Sequence, residues 1–153
     1  MRWRLTLLVM CAATAGCGGS TRTAPPAPVS SAGTVSTERF AAGTILVDGS
    51  GRTLYAFSGD GHGVSRCAGA CASAWPPFVV TDAANAGFQV DAAKLGTTTR
   101  PDGTKQVVYA GRPLYRFGGD TSAGALAGQG RRAFGGLWYV VSPDGRPLVT
   151  AAR

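Results

Sequence analysis

Residues 51–60 read Gly-Arg-Thr-Leu-Tyr-Ala-Phe-Ser-Gly-Asp, and residues 111–120 read Gly-Arg-Pro-Leu-Tyr-Arg-Phe-Gly-Gly-Asp. Seven of the ten positions are identical. In each copy a Tyr and a Phe stand two residues apart, which places both on one face of a strand. A β-rich run precedes each copy, at 43–48 and at 105–109, across a Gly-containing turn. The sequence therefore predicts two β-hairpins of the same design.

The repeat extends beyond the hairpins. Trp75 precedes Phe-Val-Val as Trp138 precedes Tyr-Val-Val. Charged residues make up only 15% of the chain and glycines number 23, a composition that disfavours helices. We predict a mainly β (all-β) domain over 42–153, with repeat one at 42–90 and repeat two at 91–153. The two pseudo-symmetric repeats would form one small antiparallel sandwich or barrel with at most short helical turns.

The first twenty residues have the parts of a secretory signal. Arg2 and Arg4 precede an apolar run over 5–15, which is shorter than the about 20 residues needed to span a bilayer. Thr-Ala-Gly-Cys17 looks like a bacterial lipobox, in which the Cys17 thiol accepts a diacylglyceryl group after removal of 1–16. In the alternative reading, this is an ordinary signal and Cys17 is incidental.

The next segment, 17–41, is rich in Gly, Ser, Thr, Pro and Ala. Such a composition predicts a disordered tether between the lipidated cysteine and the domain. We therefore expect a lipid-anchored protein on the extracytoplasmic face of the cell membrane. Loss of 1–16 removes two arginines and no acidic residue, which lowers the formal charge from +7 to +5. The remaining basic residues are scattered, and a secreted location argues against nucleic acid as a partner.

Both hairpins carry the pattern Tyr-x-aromatic-x-x-Asp, in a chain that also contains Cys-x-x-x-Cys and Trp-Pro-Pro. These features resemble a family of bacterial secreted repeat lipoproteins that has this motif and no assigned function. The resemblance implies a location in the cell envelope and very little chemistry. The motif residues are Tyr55, Phe57, Asp60, Tyr115, Phe117 and Asp120.

The residues themselves favour a structural role for the motif. Two aromatic side chains on one strand face are typical of a core or of cross-strand pairs. The two aspartates lie at Gly-rich strand ends, where a carboxylate accepts backbone N–H groups and holds a turn. A ligand or metal role for the aspartates remains the alternative.

Cys67 and Cys71 are four residues apart, a spacing that a disulfide can bridge across a turn. A secreted protein favours that disulfide, which would fix the segment that carries Trp75. The alternative is a copper-binding or redox site that uses His62, Cys67 and Cys71, a set of soft and borderline ligands.

No set of catalytic residues emerges from the sequence, since His62 is the only histidine and lacks an evident nucleophile. We therefore expect no cofactor, and a non-catalytic binding or structural role. The candidate binding surface contains Trp75, Pro76 and Pro77 together with the Cys67–Cys71 loop, and Trp138 is the equivalent tryptophan in the second repeat. The expected partners are the membrane, through the lipid anchor, and an envelope protein or cell-wall polymer. The sequence does not indicate an oligomeric state.

Overall fold

The computed structural model describes residues 33–148, so the predicted signal peptide and Cys17 lie outside the described residues. One short α-helix, α1 (Ala70–Ala74), and one 3₁₀ helix (Ala92–Lys94) accompany ten strands in this part of the chain. The prediction of a mainly β fold with short helical turns is confirmed. The strands are β1 Thr34–Phe40, β2 Gly43–Asp48, β3 Tyr55–Phe57, β4 Val79–Val80, β5 Asn85–Ala86, β6 Leu95–Thr99, β7 Lys105–Tyr109, β8 Arg112–Pro113, β9 Arg132–Ala133 and β10 Gly136–Val140.

The strands form three small sheets. Their orders are β2-β1-β5, β3-β10-β9 and β4-β7-β6, and β8 also pairs with β7. The pairs are antiparallel except for β1 and β5, which run parallel. None of the sheets closes into a barrel, so the barrel alternative is wrong and the packed antiparallel sheets remain.

The prediction of a tether over 17–41 is wrong at its C-terminal end. Strand β1 pairs with β2 in a continuous register, from Val35 opposite Asp48 to Phe40 opposite Gly43. The composition of this segment did not indicate the strand. Strand β1 is held by its backbone hydrogen bonds to β2 and by one fully buried residue, Val35, and neither is visible in the composition. The domain thus includes β1, and residues 17–32 of the predicted tether lie outside the described residues.

Both predicted hairpins are present. In the first, Val47 is bridged to Thr53, and the Leu54 N–H donates to the Leu46 carbonyl at 3.1 Å. The Asp48 carboxylate holds the intervening turn by accepting the backbone N–H groups of Ser50 and Arg52.

In the second hairpin, Val108 pairs with Pro113, and the Leu114 N–H donates to the Val107 carbonyl at 2.9 Å. The two hairpins therefore place Leu54 and Leu114 in equivalent positions.

Side chains of β3 and β10 alternate between two hydrophobic clusters. On β3 and the residue before it, Leu54 and Ala56 face the first cluster, whereas Tyr55 and Phe57 face the second. The predicted two-residue periodicity is confirmed. The first cluster consists of Val35, Leu46, Leu54, Ala56, Phe78, Val107, Tyr109, Leu114, Tyr139 and Val141. The second consists of Ile45, Tyr55, Phe57, Cys67, Cys71, Trp75, Tyr115, Trp138 and Val140.

The two motifs meet directly in the second cluster. The Tyr55 N–H donates to the Tyr115 carbonyl at 2.8 Å, and the Tyr115 N–H donates to the Tyr55 carbonyl at 2.9 Å. Equivalent residues of the two repeats thus form an antiparallel pair with each other. This reciprocal pair places the local pseudo-twofold axis between the two tyrosines.

Gly128 tests how tightly the second cluster is packed. A Cβ atom there would lie 2.8 Å from the Trp75 ring and 2.9 Å from the Tyr55 ring. We expect Gly128→Ala to lower the free energy of unfolding by about 1–3 kcal/mol, measured by denaturant titration. Gly96→Ala is the matched control, because a Cβ at that exposed position meets nothing within 4 Å, and its effect should stay within about 0.5 kcal/mol. Equal effects of the two variants would contradict this packing.

Candidate functional site

The motif tyrosines and aspartates bond across the two repeats. The Tyr55 hydroxyl donates to Oδ2 of Asp120 at 2.7 Å, and the Tyr115 hydroxyl donates to Oδ2 of Asp60 at 2.7 Å. Each tyrosine thus uses the aspartate of the other motif. We call these two hydrogen bonds the Tyr–Asp exchange. Because the acceptor is a carboxylate, each bond belongs to the stronger class of protein hydrogen bonds.

The second carboxylate oxygen of each aspartate closes a loop within its own repeat. Oδ1 of Asp60 accepts the Arg66 N–H at 2.7 Å, and Oδ1 of Asp120 accepts the Ala127 N–H at 2.9 Å. The aspartates therefore hold loops that are longer than the Asx-type turns expected from the sequence. Both oxygens of both carboxylates are occupied in this way.

The Tyr115 side of the exchange extends into a buried polar network. Nη1 of Arg100 donates to the Ser65 hydroxyl at 2.6 Å, and that hydroxyl lies 2.7 Å from the Tyr115 oxygen. The same Nη1 donates to Gln106 Oε1, and Nη2 donates to the Cys67 carbonyl. A positive charge is thereby linked to the Asp60 carboxylate through two hydroxyl groups.

Sequence reasoning missed Arg100, which is only 7% exposed. It stands between a strand and a Pro-Asp-Gly turn, a position that is typical of a solvated arginine. The one available signal is Gln106, which is fully buried on β7. A buried amide needs a hydrogen-bonding neighbour, and that neighbour is Arg100.

Burial controls the protonation of the exchange. It raises the pKa of Tyr55 and of Tyr115 above the ordinary phenol value, and the neighbouring carboxylates add to this rise. Burial also raises the pKa of Asp60, against the opposing effect of the Arg66 N–H and the Tyr115 hydroxyl. Both phenols are consequently neutral donors at physiological pH.

Four aromatic rings stack through the second cluster, in the order Phe57, Trp138, Trp75 and Phe117. Successive ring centroids are 4.4, 3.9 and 4.2 Å apart, and the two indole planes differ by only 4°. We call this set the aromatic stack. Each tryptophan contacts the motif phenylalanine of the other repeat, so the stack, like the Tyr–Asp exchange, joins the two repeats.

The predicted binding surface is wrong for both tryptophans. Trp75 is 1% exposed and Trp138 is fully buried, because each indole is covered by rings from both repeats. Pro76 and Pro77 are half-buried, and the Pro76 carbonyl accepts the Arg116 N–H at 2.9 Å. Of the predicted surface, these two prolines and residues 68–70 of the Cys67–Cys71 loop retain exposed area.

The predicted disulfide is present. Cys67 and Cys71 are bonded with their Cα atoms 5.2 Å apart, and both are buried. The bridge spans the start of α1, and the Trp75 N–H donates to the Cys71 carbonyl at 2.8 Å. The disulfide thus fixes the backbone that enters the aromatic stack.

The copper or redox alternative is not supported. The two sulfurs are bonded to each other and are therefore not available as thiolate ligands. His62 is exposed and lies apart from them, in a cleft of about 160 Å³ whose walls include Asp60 and Arg112. Within residues 33–148, no three His, Cys, Asp or Glu side chains are grouped to hold a metal ion.

A family model described as a secreted repeat of unknown function matches the chain twice, at 36–79 and at 96–142. The two matches together span more than half of the chain. The chain belongs to this family. Each match contains one Tyr-x-Phe-x-x-Asp motif and one stacked tryptophan. No curated protein and no solved structure matches the chain.

The family agrees with an extracytoplasmic location, since its members are secreted repeats. Across the described part of the chain, no helix has both the length and the apolar character to cross a bilayer.

Double-mutant cycles test the pairing in the Tyr–Asp exchange. We expect Tyr55→Phe to cost about 1.5–3 kcal/mol in unfolding free energy, because the Asp120 carboxylate loses a charge-assisted hydrogen bond. The cost should be smaller in a protein that already carries Asp120→Asn, because the neutral amide accepts a weaker hydrogen bond than the carboxylate does. Denaturant titration of the single and double variants measures this coupling.

The cross-combination provides the control. Tyr55→Phe with Asp60→Asn joins two residues that do not bond to each other. Its coupling energy should be smaller than that of the Tyr55–Asp120 pair by about 1 kcal/mol. Equal coupling energies in the two cycles would contradict the exchange.

The raised tyrosine pKa values predict alkaline instability. Above pH 10 the unfolded chain releases phenol protons that the folded chain retains, so stability falls as pH rises. Each such tyrosine contributes a slope of about 1.4 kcal/mol per pH unit. We expect Tyr115→Phe to unfold with a shallower slope above pH 10 in denaturant titrations, although it is less stable at pH 8. An unchanged slope would show that Tyr115 does not retain its proton.

Proposed function

We propose that the protein is a lipid-anchored, non-catalytic binding or structural module on the extracytoplasmic face of the cell membrane. The non-catalytic role rests on one observation, which is that the side chains of the motif already have partners within the protein. Its two tyrosines and two aspartates bond to one another, and its two phenylalanines lie in the aromatic stack. The motif thus uses its polar and aromatic groups to join the repeats.

The anchoring rests on the N-terminal sequence and on the family. The Thr-Ala-Gly-Cys17 segment follows a basic and then an apolar region, as in lipoprotein signals. Several acyl chains would hold the protein stably at a membrane, since each buried CH₂ contributes about 0.8 kcal/mol. A family of secreted repeats is consistent with this location.

A rigid module needs an exposed surface to bind a partner. The remaining sequence-based candidates for contact with an envelope protein or a cell-wall polymer are residues 68–70 and the exposed sides of Pro76 and Pro77. The two prolines run beside Tyr115 and Arg116, so the tightly bonded core holds them in place.

The N-terminus of the purified protein tests the anchoring. Mass spectrometry of protein from the membrane fraction should find a chain that begins at Cys17 and carries a diacylglyceryl group. We expect Cys17→Ser to abolish this species. Cys11→Ser is the matched control, because Cys11 lies in the segment that processing removes, and this variant should give the same mature mass as the parent. A mature N-terminus without lipid would contradict the proposal.

A further inference from the structure

The β9–β10 hairpin has an unusual turn. Arg132 and Ala133 pair with Leu137 and Gly136, which leaves Phe134 and Gly135 as the two turn residues. Both are left-handed, with φ values of 55° and 81°. Two successive left-handed residues define the type I′ turn, whose first position favours Asn, Asp or Gly. Phenylalanine is unfavourable there, because its Cβ crowds the backbone.

Packing does not compensate for this backbone strain. The Phe134 side chain is 49% exposed and belongs to neither hydrophobic cluster. The comparable turn between β7 and β8 has Ala110 in the left-handed position with φ 48°, but Ala110 packs against the first cluster. A strained, exposed aromatic residue at a hairpin tip indicates a functional contact.

The stretch of sequence that contains the tip carries charge of one sign. Arg131 and Arg132 are exposed, and Ala133 alone separates them from Phe134 in the hairpin. The sequence contains no acidic residue from 121 to 143. The Arg131 guanidinium is positioned 4.9 Å from the Phe117 ring centroid, and its Nε donates to the Ala127 carbonyl. The tip therefore combines one apolar ring with two cations.

The hairpin is held firmly behind this tip. The Ser58 hydroxyl accepts the Leu137 N–H at 2.7 Å, and the Ser58 N–H donates to the Leu137 carbonyl at 2.9 Å. The Trp138 N–H donates to the Arg131 carbonyl at 2.8 Å. Because the backbone is already ordered, a partner that binds the tip incurs little conformational entropy cost.

We propose that the β9–β10 tip, residues 131–136, docks on the anionic phospholipid surface of the membrane. The Phe134 ring enters the boundary between headgroups and acyl chains, and the two arginines lie among the lipid phosphates. This chemistry matches the tip, because an anionic bilayer presents negative charge above an apolar layer. A soluble polyanion would engage the arginines but would offer no apolar layer to Phe134. The proposal depends on the proposed function, which places the domain beside a membrane.

Vesicle binding by a protein without acyl chains tests this docking. The chain from Gly18 to Arg153 lacks the lipidated cysteine and retains every described residue, with both clusters and the disulfide. Sedimentation should show that it binds vesicles of mixed phosphatidylglycerol and phosphatidylcholine more tightly than vesicles of phosphatidylcholine alone. Each arginine near an anionic surface contributes about five-fold to binding, so Arg132→Gln should weaken binding by about that factor. Arg39→Gln removes an equal charge from an exposed site on β1 and should have a smaller effect.

Phe134→Asn separates docking from folding. Asparagine suits the left-handed turn position, so this variant should unfold at a higher temperature than the parent. It should nevertheless bind the mixed vesicles about five-fold more weakly, because the apolar contact is lost. Phe88→Ala is the matched control, since Phe88 is 71% exposed on another loop, and it should bind like the parent.

Three outcomes would overturn the docking proposal. The first is equal vesicle binding by Phe134→Asn and the parent, and the second is equal binding by Arg132→Gln and the parent. The third is binding to soluble polyphosphate with the affinity found for mixed vesicles and without dependence on Phe134, which would identify a polymer-binding tip instead. Lipidation of Cys17 is measured separately by mass, so failure of the docking and failure of the anchoring are distinguishable.

Discussion

The hydrogen bonds that Tyr55 and Tyr115 donate to the opposite aspartates determine how the two halves of the chain meet. Each carboxylate bonds at the same time to a backbone N–H of its own repeat. The loops that follow Phe57 and Phe117 are therefore each tied, through an aspartate, to a tyrosine of the other repeat. The aromatic stack follows the same rule, since each indole lies against a ring of the other repeat. Polar and apolar contacts thus impose one relative orientation.

Local patterns in the sequence were sufficient for part of this fold. Two-residue alternation predicted that Tyr55 and Phe57 share a face, and Gly-containing turns predicted both hairpins. The cysteine spacing and the secretory signal predicted the disulfide. These features depend on residues that are close in the chain, where strand geometry and turn chemistry are restrictive.

Contacts between distant residues were not predictable in this way. Alternation shows which side chains share a face but not what covers that face, so the sequence alone places the tryptophans on the surface. The offset between the motifs revealed the repeat but not that each Tyr bonds to the Asp of the other copy. The sequence did not predict strand β1, because that strand is held by backbone pairing with β2. It did not predict the burial of Arg100, because that side chain is held by the buried amide of Gln106. Their own composition carries no such information.

The reciprocal geometry of the motif has a consequence for a chain with only one repeat. In such a chain neither the Tyr hydroxyl nor the Asp carboxylate would have its hydrogen-bond partner, because both partners belong to the second copy. Two identical chains placed about a twofold axis would satisfy both groups, because residue i of one copy would contact residue j of the other and the reverse. Duplication within one chain therefore converts an isologous dimer interface into an internal joint. It also frees the two copies to differ, as do the disulfide-bonded helix before Trp75 and the basic hairpin that contains Trp138.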